Sequence, residues 1–428
     1  MFAGDWLASR LINQILLGVF VVLTLVTPQF AEKILGMAVY IALLQYCRDL
    51  PLDRRVITAS FWLLAAFAVA VIFSYNTYVS SVFLSVYASY FVLMVVAAVF
   101  IDSREKLTGV CTFLAVAVIL IDCYALWQFI SGENTSLIGV DGGGTRLIGG
   151  TSNPIIFSGY LFNVITLFLV LGLKAVPGIP PKHKKLFFLT ALFSLAILIL
   201  TLTRGGWLAL EAVMLVWIGF EWKRDRKLVA ILFLIALLLF VNMAGIMPGL
   251  LQGMAERPQV VEQGVVADPS SMQRIVMWQA AWQIFLDHPL AGAGLYQFHD
   301  MFYGKYYPST AVSLDKLWQN AHSDYFNLLA ETGILGTTAY IYFFGTLLWS
   351  KYRRYRLNPE DIWSMLGLLL TMGFLLEGLT YQYFGLATNM WLFFIIIGLT
   401  DAAAARPVPV SEGREKAATE GVEREYTG

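Results

Sequence analysis

The sequence predicts an all-α polytopic membrane protein of about twelve transmembrane helices, with a large, partly helical outer loop between spans nine and ten. Three observations predict it. First, 58% of the 428 residues are hydrophobic and only 14% are charged, with a mean hydropathy of +0.69. An ordinary soluble domain carries about 25% charged residues. Second, apolar runs long enough to cross a bilayer recur along the chain. Third, the basic residues alternate between the ends of successive runs. The composition excludes a soluble globular enzyme. It also excludes a disordered chain, which needs low hydrophobicity and high net charge. Lys+Arg and Asp+Glu are 29 each, so nucleic-acid binding has no electrostatic support.

In chain order, the spans read as 11–27, 34–47, 56–74, 78–101, 107–130, 154–173, 186–203, 205–220, 228–247, 332–350, 362–380 and 384–400. The second is short, and a tight break at 203–206 divides the seventh from the eighth. The first run lacks a charged leader and a small-residue cleavage site, so it reads as a retained span. Seven basic residues fall on one side of the alternation: Lys33, Arg146, Arg204, Arg257, Arg274, Lys305 and Lys316. The other 22 of the 29 fall on the opposite side, which puts both termini in the cytoplasm. Residues 1–401 form the transmembrane domain with its outer loop 248–331, and 402–428 a cytoplasmic tail expected to be disordered. Cys111 and Cys123 share one helix about 18 Å apart, too far to bridge. There is no CxxC and no Cys/His zinc spacing.

Two outer segments break the short-loop pattern, 131–153 and 248–331. The first holds Gly142-Gly143-Gly144, which lacks the GK[ST] ending of a nucleotide loop and reads as a mobile stretch. It ends on Asn153-Pro154, an N-cap and first helical residue. The second holds His288, His299 and His322. Asp268-Pro269-Ser270-Ser271 reads as a helix start with Ser as N-cap, and Ile275, Trp278, Trp282 and Phe285 follow as an apolar stripe. His288-Pro289 and Gly292/Gly294 end that helix. Arg274, one turn before Trp278, is either a headgroup cation or an anion ligand, and spacing alone favours the former. A second helix reads over Asn320–Ala330, with His322, Phe326 and Leu329 on one face. A lone histidine is more often structural than catalytic, Asp324 points elsewhere on such a helix, and no HExxH is present.

Arg204 sits between Thr203 and the pair Gly205-Gly206, at the outer mouth between two spans. Snorkelling to the headgroups is the ordinary reading. The double glycine, read as a tight turn with backbone close to whatever lies above, makes Arg204 a candidate anion ligand as well. Asp122, Glu211 and Glu377 are acids inside spans, which need a polar cavity or a partner. Glu211 lies two turns below Arg204 on the same face, so the two are candidates for a relation, directly or through water.

Several of these pieces resemble the O-antigen ligase and polymerase superfamily. They are Arg274-Ile275-Val276-Met277-Trp278-Gln279-Ala280-Ala281-Trp282, then His288-Pro289-Leu290-Ala291-Gly292-Ala293-Gly294-Leu295, His322-Ser323 and Glu331-Thr332-Gly333-Ile334-Leu335-Gly336. Thr203-Arg204-Gly205-Gly206 after a span and Asn153-Pro154 opening one complete the set. Each piece is weak alone; the combination, with a long outer loop before the last three spans, is specific. About twelve spans with both termini inside looks most like the O-antigen ligase branch.

The resemblance implies glycosyl transfer on the periplasmic side of a bacterial inner membrane. The donor would be a glycan on undecaprenyl pyrophosphate, and the acceptor a sugar hydroxyl of the lipid A–core. By position His322 matches the family's essential histidine, and Arg204 and Arg274 its essential arginines. Arg146, Asn153, Gly205, Trp278 and Asn320 are expected to complete the substrate-binding surface. No metal and no cofactor is expected. The pyrophosphate is already a good leaving group, and guanidinium contacts that tighten as charge accumulates on it stabilise the transition state. The acceptor hydroxyl needs a base, and a neutral imidazole with a pKa near 6.5 can serve. Direct attack inverts the anomeric centre. The rival readings are a polymerase or protein O-oligosaccharyltransferase of the same superfamily and, from a different class, a transporter or flippase. A transporter would show paired halves, broken helices and midplane ionisable groups; here the distinctive residues gather at one outer face, which favours an enzyme, while Asp122, Glu211 and Glu377 keep the transporter reading open. A structural membrane subunit has only its hydrophobicity in its favour.

Overall fold

The structure, a computed structural model, describes residues 51–405 apart from 102, 133–145, 150, 152, 177–178, 257–259, 263–264, 268 and 307–319. The expected spans at 11–27 and 34–47, the Gly142–Gly144 stretch and nearly all of the tail lie outside the described residues. The described chain is helical but for one short ribbon. Its long helices are α1 (Arg54–Ile72), α2 (Thr77–Phe100), α3 (Arg104–Ser131), α4 (Pro154–Leu173), α5 (Lys184–Leu200), α6 (Arg204–Glu221) and α7 (Arg226–Glu256). The outer loop contributes the antiparallel ribbon β1 (Val260–Glu262) and β2 (Val265–Ala267), then α8 (Pro269–Asp287) and the short α9 (Phe298–Met301). Helices α10 (Asp324–Leu357), α11 (Ile362–Glu377) and α12 (Ala387–Ala404) close the bundle.

Ten of these helices overlie the third to twelfth expected spans. Five of the described helices, α1 to α4 and the segment Pro181–Leu200 that contains α5, are long and apolar enough to cross a membrane by length and composition, and α11 and most of α12 are shorter apolar helices. The architecture is that of a polytopic helical membrane protein. The caps are those the sequence dictates. Asp53, Asn76, Ser103, Asn153 and Asp361 each accept a backbone N–H from the first turn of the helix they precede. Pro154 heads α4, where its missing N–H is no loss.

Helix α4 is the hub, buried along most of its length. It packs on α5 and α11, while α2 packs along α12 and α1 along α10. One continuous apolar core links them, with Phe67, Phe91, Phe162, Phe168 and Trp217 fully enclosed. The outer faces carry Trp62, Phe113, Leu120 and Trp127, all exposed, as a lipid-facing surface requires. Most polar groups inside the bundle have partners. Asp122 accepts from Ser194 at 2.6 Å. Buried Glu221 pairs with Lys174 at 2.9 Å. Lys351, 1% exposed, pairs with Asp401 at 2.9 Å while Arg354 holds the other oxygen at 2.8 Å. Ser350 donates to Asp53 at 2.7 Å, and Arg224 reaches Glu360 at 2.9 Å. These contacts bring the basic ends of α1, α4, α6 and α10 to one end of the bundle. Glu211 is half-buried on α6 and makes no direct ion pair with Arg204 among the described residues.

The outer loop folds against α10 around a small core of its own, formed by Met277, Ala281, Ile284, Phe298, Phe302 and Ala330. Its joint with α10 is a backbone interlock. Ala293 N–H donates to Ala330 O, Gly294 N–H to Glu331 O, Ile334 N–H to Pro289 O, and Leu335 N–H to Leu290 O, at 2.9 to 3.2 Å. The donors and acceptors on α10 are available because the helix breaks at Gly333 (φ 59°, ψ −160°), a conformation only glycine adopts readily. Tyr75 N–H donates to Ala293 O at 2.9 Å, and Ser80 Oγ to Leu295 O at 2.8 Å, fixing the same segment to the α1–α2 turn. Helix α8 begins at Pro269, so Ser270 and Ser271 lie inside its first turn and neither is the N-cap the sequence predicts.

Candidate functional site

Opposite the Lys351–Asp401 end, the starts of α4, α6 and α10 meet the loop 378–386. Each brings a residue that the sequence singles out. The turn before α6 is made by Thr201-Leu202-Thr203, with Leu202 in the left-handed region (φ 52°). The expected turn at Gly205-Gly206 is therefore displaced toward Leu202. The two glycines lie in the first turn of α6 and serve approach instead. A Cβ on Gly205 would stand 2.5 Å from Thr380 Oγ1, and one on Gly206 3.1 Å from Ser158. The glycines let the start of α6 lie against both the 378–386 loop and α4. Arg204 is the first residue of α6 and is exposed.

Arg146 holds this turn. Its Nε donates to Thr201 O at 2.9 Å, and its Nη2 to Leu202 O at 3.0 Å and Thr203 Oγ1 at 3.1 Å. Burial, and then the nearby Arg204 charge, pull the Arg146 pKa down to about 10. Two guanidinium groups thus sit together at a helix N-terminus, where the backbone dipole also favours an anion. Asn153 caps α4 as expected, accepting from Ile155 N–H at 2.8 Å, and Thr203 Oγ1 donates to Pro154 O at 3.4 Å.

His322 stands in the turn before α10. The helix starts at Asp324, so the expected helix over Asn320–Ala330 begins four residues late and His322 does not share a helical face with Phe326. Its φ is +50°, left-handed, as are those of Leu202 and Tyr296. Such residues cost about 1–3 kcal/mol each and persist only where the surroundings fix them. Here the surroundings do. Asn320 Oδ1 accepts from His322 N–H at 2.9 Å, Asn327 Oδ1 from Ala321 N–H at 3.1 Å, and the Trp278 indole N–H donates to Ala321 O at 3.0 Å. Trp278 also stacks on Phe326, with ring centroids 5.1 Å apart. Trp278 and Asn320 therefore act on the histidine turn, one from α8 and one from the turn itself.

The His322 ring meets the Tyr381 ring edge-on at 4.9 Å, and the Asn320 side chain bonds the Tyr381 hydroxyl. Tyr381 adjoins Thr380, the residue against which Gly205 packs. Tyr383 contacts Tyr381 at 5.5 Å and donates to Ile155 O at 3.0 Å. The 378–386 loop is thus the bridge between the α6 arginine and the α10 histidine. Burial, and second the Arg274 charge, lower the His322 pKa to about 4. That departs from the ordinary value expected from sequence: an enclosed imidazole beside a guanidinium resists gaining a second positive charge. Arg274, half-buried on α8, is therefore within electrostatic reach of His322.

All eight sequence-derived site residues lie at this one end of the molecule. Thr380, Tyr381, Tyr383 and Asn327 join them without having been singled out, and Glu331, noted only as part of a family-like run, joins them too. The polar run Thr380-Tyr381-Gln382-Tyr383 between two apolar spans was the available signal. Among the described residues no group of three or more His, Cys, Asp and Glu side chains is placed to hold a metal ion.

No curated protein matches the chain. Residues 189–341 match the family model described as O-Antigen ligase. The match runs from α5 through the outer loop to the middle of α10, and Arg146, Asn153 and the 378–386 loop fall outside it. Over residues 189–341, the stretch that supplies Arg204, Arg274 and His322, the chain is similar to the O-antigen ligase family.

Proposed function

We propose that the protein is an O-antigen ligase. It transfers a glycan from undecaprenyl pyrophosphate to a sugar hydroxyl of the lipid A–core at the periplasmic face of a bacterial inner membrane. The observation that carries the reading is the meeting of the arginine-bearing start of α6 and the histidine turn across Thr380 and Tyr381. The distribution of basic residues supports about twelve spans, with this end facing the periplasm. The acceptor hydroxyl attacks the anomeric carbon, the bond to the pyrophosphate oxygen breaks, and its electron pair leaves with the diphosphate. Arg204 and Arg274 stabilise the charge that gathers there. His322, neutral above its low pKa, takes the hydroxyl proton. Arg146, Asn153, Gly205, Trp278 and Asn320 shape the site around them.

An imidazole of pKa about 4 is a weak base. A bound diphosphate offsets the Arg274 charge and raises that value, so the base strengthens when the donor is in place. The chemistry calls on no metal, and transfer should survive thorough chelation. Loss of transfer restored only by a divalent ion would refute that part. The deciding experiment is gel analysis of lipopolysaccharide from a deletion strain complemented with wild type or with His322→Ala. Bare core with lipid-linked polymer accumulating, in the deletion and in the variant alike, is the expected result. Core bearing a single repeat would make the enzyme a polymerase. Normal surface polymer in His322→Ala would remove the histidine from the mechanism.

A further inference from the structure

The histidine turn depends on a polar pair that lies beneath it on α10. Asn327 and Glu331 are one helical turn apart and buried, at 1% and 2% exposure. The Asn327 side chain uses both of its ends. Its carbonyl accepts from Ala321 N–H at 3.1 Å, so its amide is the group that donates to the Glu331 carboxylate. Glu331 also accepts from Phe298 N–H at 3.2 Å and from Tyr296 N–H. The pair therefore links Ala321, the residue before the strained His322 (φ +50°), to the strained Tyr296 (φ +59°) through one chain of hydrogen bonds. The bonds converge on Glu331. Burial raises its pKa to about 7; above that pH the carboxylate only accepts, backbone N–H groups donate at both ends, and asparagine is needed between them because it accepts on one side and donates on the other.

We propose that Asn327 and Glu331 are positioning residues that hold the Asn320–Ala321 peptide, which leads into the left-handed His322, and so keep the imidazole against Tyr381. The base function of His322 rests on the proposed ligase reading; the positioning of its ring does not. The direction of the hydrogen bonds provides the test. In Glu331→Gln, the introduced amide must face either the Asn327 amide or a backbone N–H, and flipping Asn327 only moves the conflict to Ala321 N–H. Combining Asn327→Asp with Glu331→Gln makes the pattern whole again. The amide introduced at position 331 donates to the carboxylate introduced at position 327. That carboxylate accepts from Ala321 N–H, and the amide oxygen at 331 accepts from Phe298 N–H. Both substitutions are nearly isosteric.

The readout is the rate of diethylpyrocarbonate labelling of His322 in the full-length protein, mapped by peptide mass with His183, His288 and His299 as internal references. Glu331→Gln should speed His322 labelling about tenfold, the scale of one mispaired buried hydrogen bond. It should also raise the pH midpoint of labelling, with the other three histidines unchanged. The double variant should return to within about twofold of wild type on the same scale. Should Glu331→Gln not fold, Asn327→Asp alone at alkaline pH sets two carboxylates against each other and is read in the same way. The proposal is overturned if the single variants label like wild type, or if the double variant labels no more slowly than Glu331→Gln. Labelling needs no transfer reaction. Restoration by the double variant alongside ligation that is indifferent to His322 would sink the function and leave the positioning intact.

Discussion

The His322 pKa gives the sharpest test of the site. Enclosure of the ring and the Arg274 charge take it from 6.5 to about 4. At 1.36 kcal/mol per unit, that is about 3 kcal/mol against the imidazolium. The sign follows directly. Because the folded value lies below the unfolded one, the folded state loses stability as pH falls from about 6.5 toward 4, while the unfolded chain takes up a proton that the folded chain refuses. Above that window the histidine is neutral in both states and contributes no pH dependence. The measurement is the titration of 13C-labelled His322 by NMR, in detergent, with His183, His288 and His299 each replaced by Gln. The free protein should show a midpoint near 4. In Arg274→Gln the midpoint should rise by less than half of the way to 6.5, since enclosure is the larger cause. Inorganic pyrophosphate should raise it in wild type and raise it less in Arg274→Gln. Under the proposed function, the acid limb of kcat/KM should sit near the free value, and that of kcat higher. A free-protein midpoint at 6.5 would mean that the ring is solvated, and the account of an enclosed imidazole beside a guanidinium would fall with it.

Three further outcomes are expected. Gly205→Val drives a side chain into Thr380 and should cut glycan transfer at least about tenfold, the effect of a small misplacement of reacting groups; Gly205→Val with Thr380→Ala should recover most of it in the same assay. Gly333→Ala should lower stability by about 2 kcal/mol or more, measured by thermal melting in detergent, because alanine is strained at φ +59° and its Cβ would meet Leu290 O at 2.5 Å. Asp122→Asn should leave transfer unchanged, since Ser194 can still donate to the amide oxygen; abolished function there with an active His322→Ala would favour a transporter.

Much of this architecture is legible in the sequence for a simple physical reason. A bilayer demands apolar runs of a set length, so the helix positions follow from composition alone. Caps are equally local: Asn153-Pro154 predicts the start of α4 and the structure puts it there. The site was legible as residue types, because Arg204, Arg274 and His322 are polar exceptions set in conspicuous surroundings. Their local geometry was not. The sequence points to Gly205-Gly206 as the turn, yet Arg146, distant along the chain, holds Leu202 in a left-handed conformation that leucine does not choose for itself. His322 reads as helical because helical periodicity runs through it, and only the tertiary bonds from Asn327 and Trp278 take it out of the helix. The 378–386 loop is hidden because its ends read as parts of the spans 362–380 and 384–400, leaving only Tyr381, Gln382 and Tyr383 between them. In each case a contact between distant segments overrode a local pattern.

The interlock at Gly333 has a mechanical consequence. Four main-chain bonds join the outer loop to α10, and the buried Lys351–Asp401 pair pins the far end of that helix to α12. Below the break α10 is a rod clamped at its foot, and above it the rod carries the imidazole. Arg204 rides on a different helix, so the gap between imidazole and guanidinium is set by how two rods lean. Under the proposed function, a thinner or thicker bilayer that changes that lean would retune transfer without touching a single residue of the site.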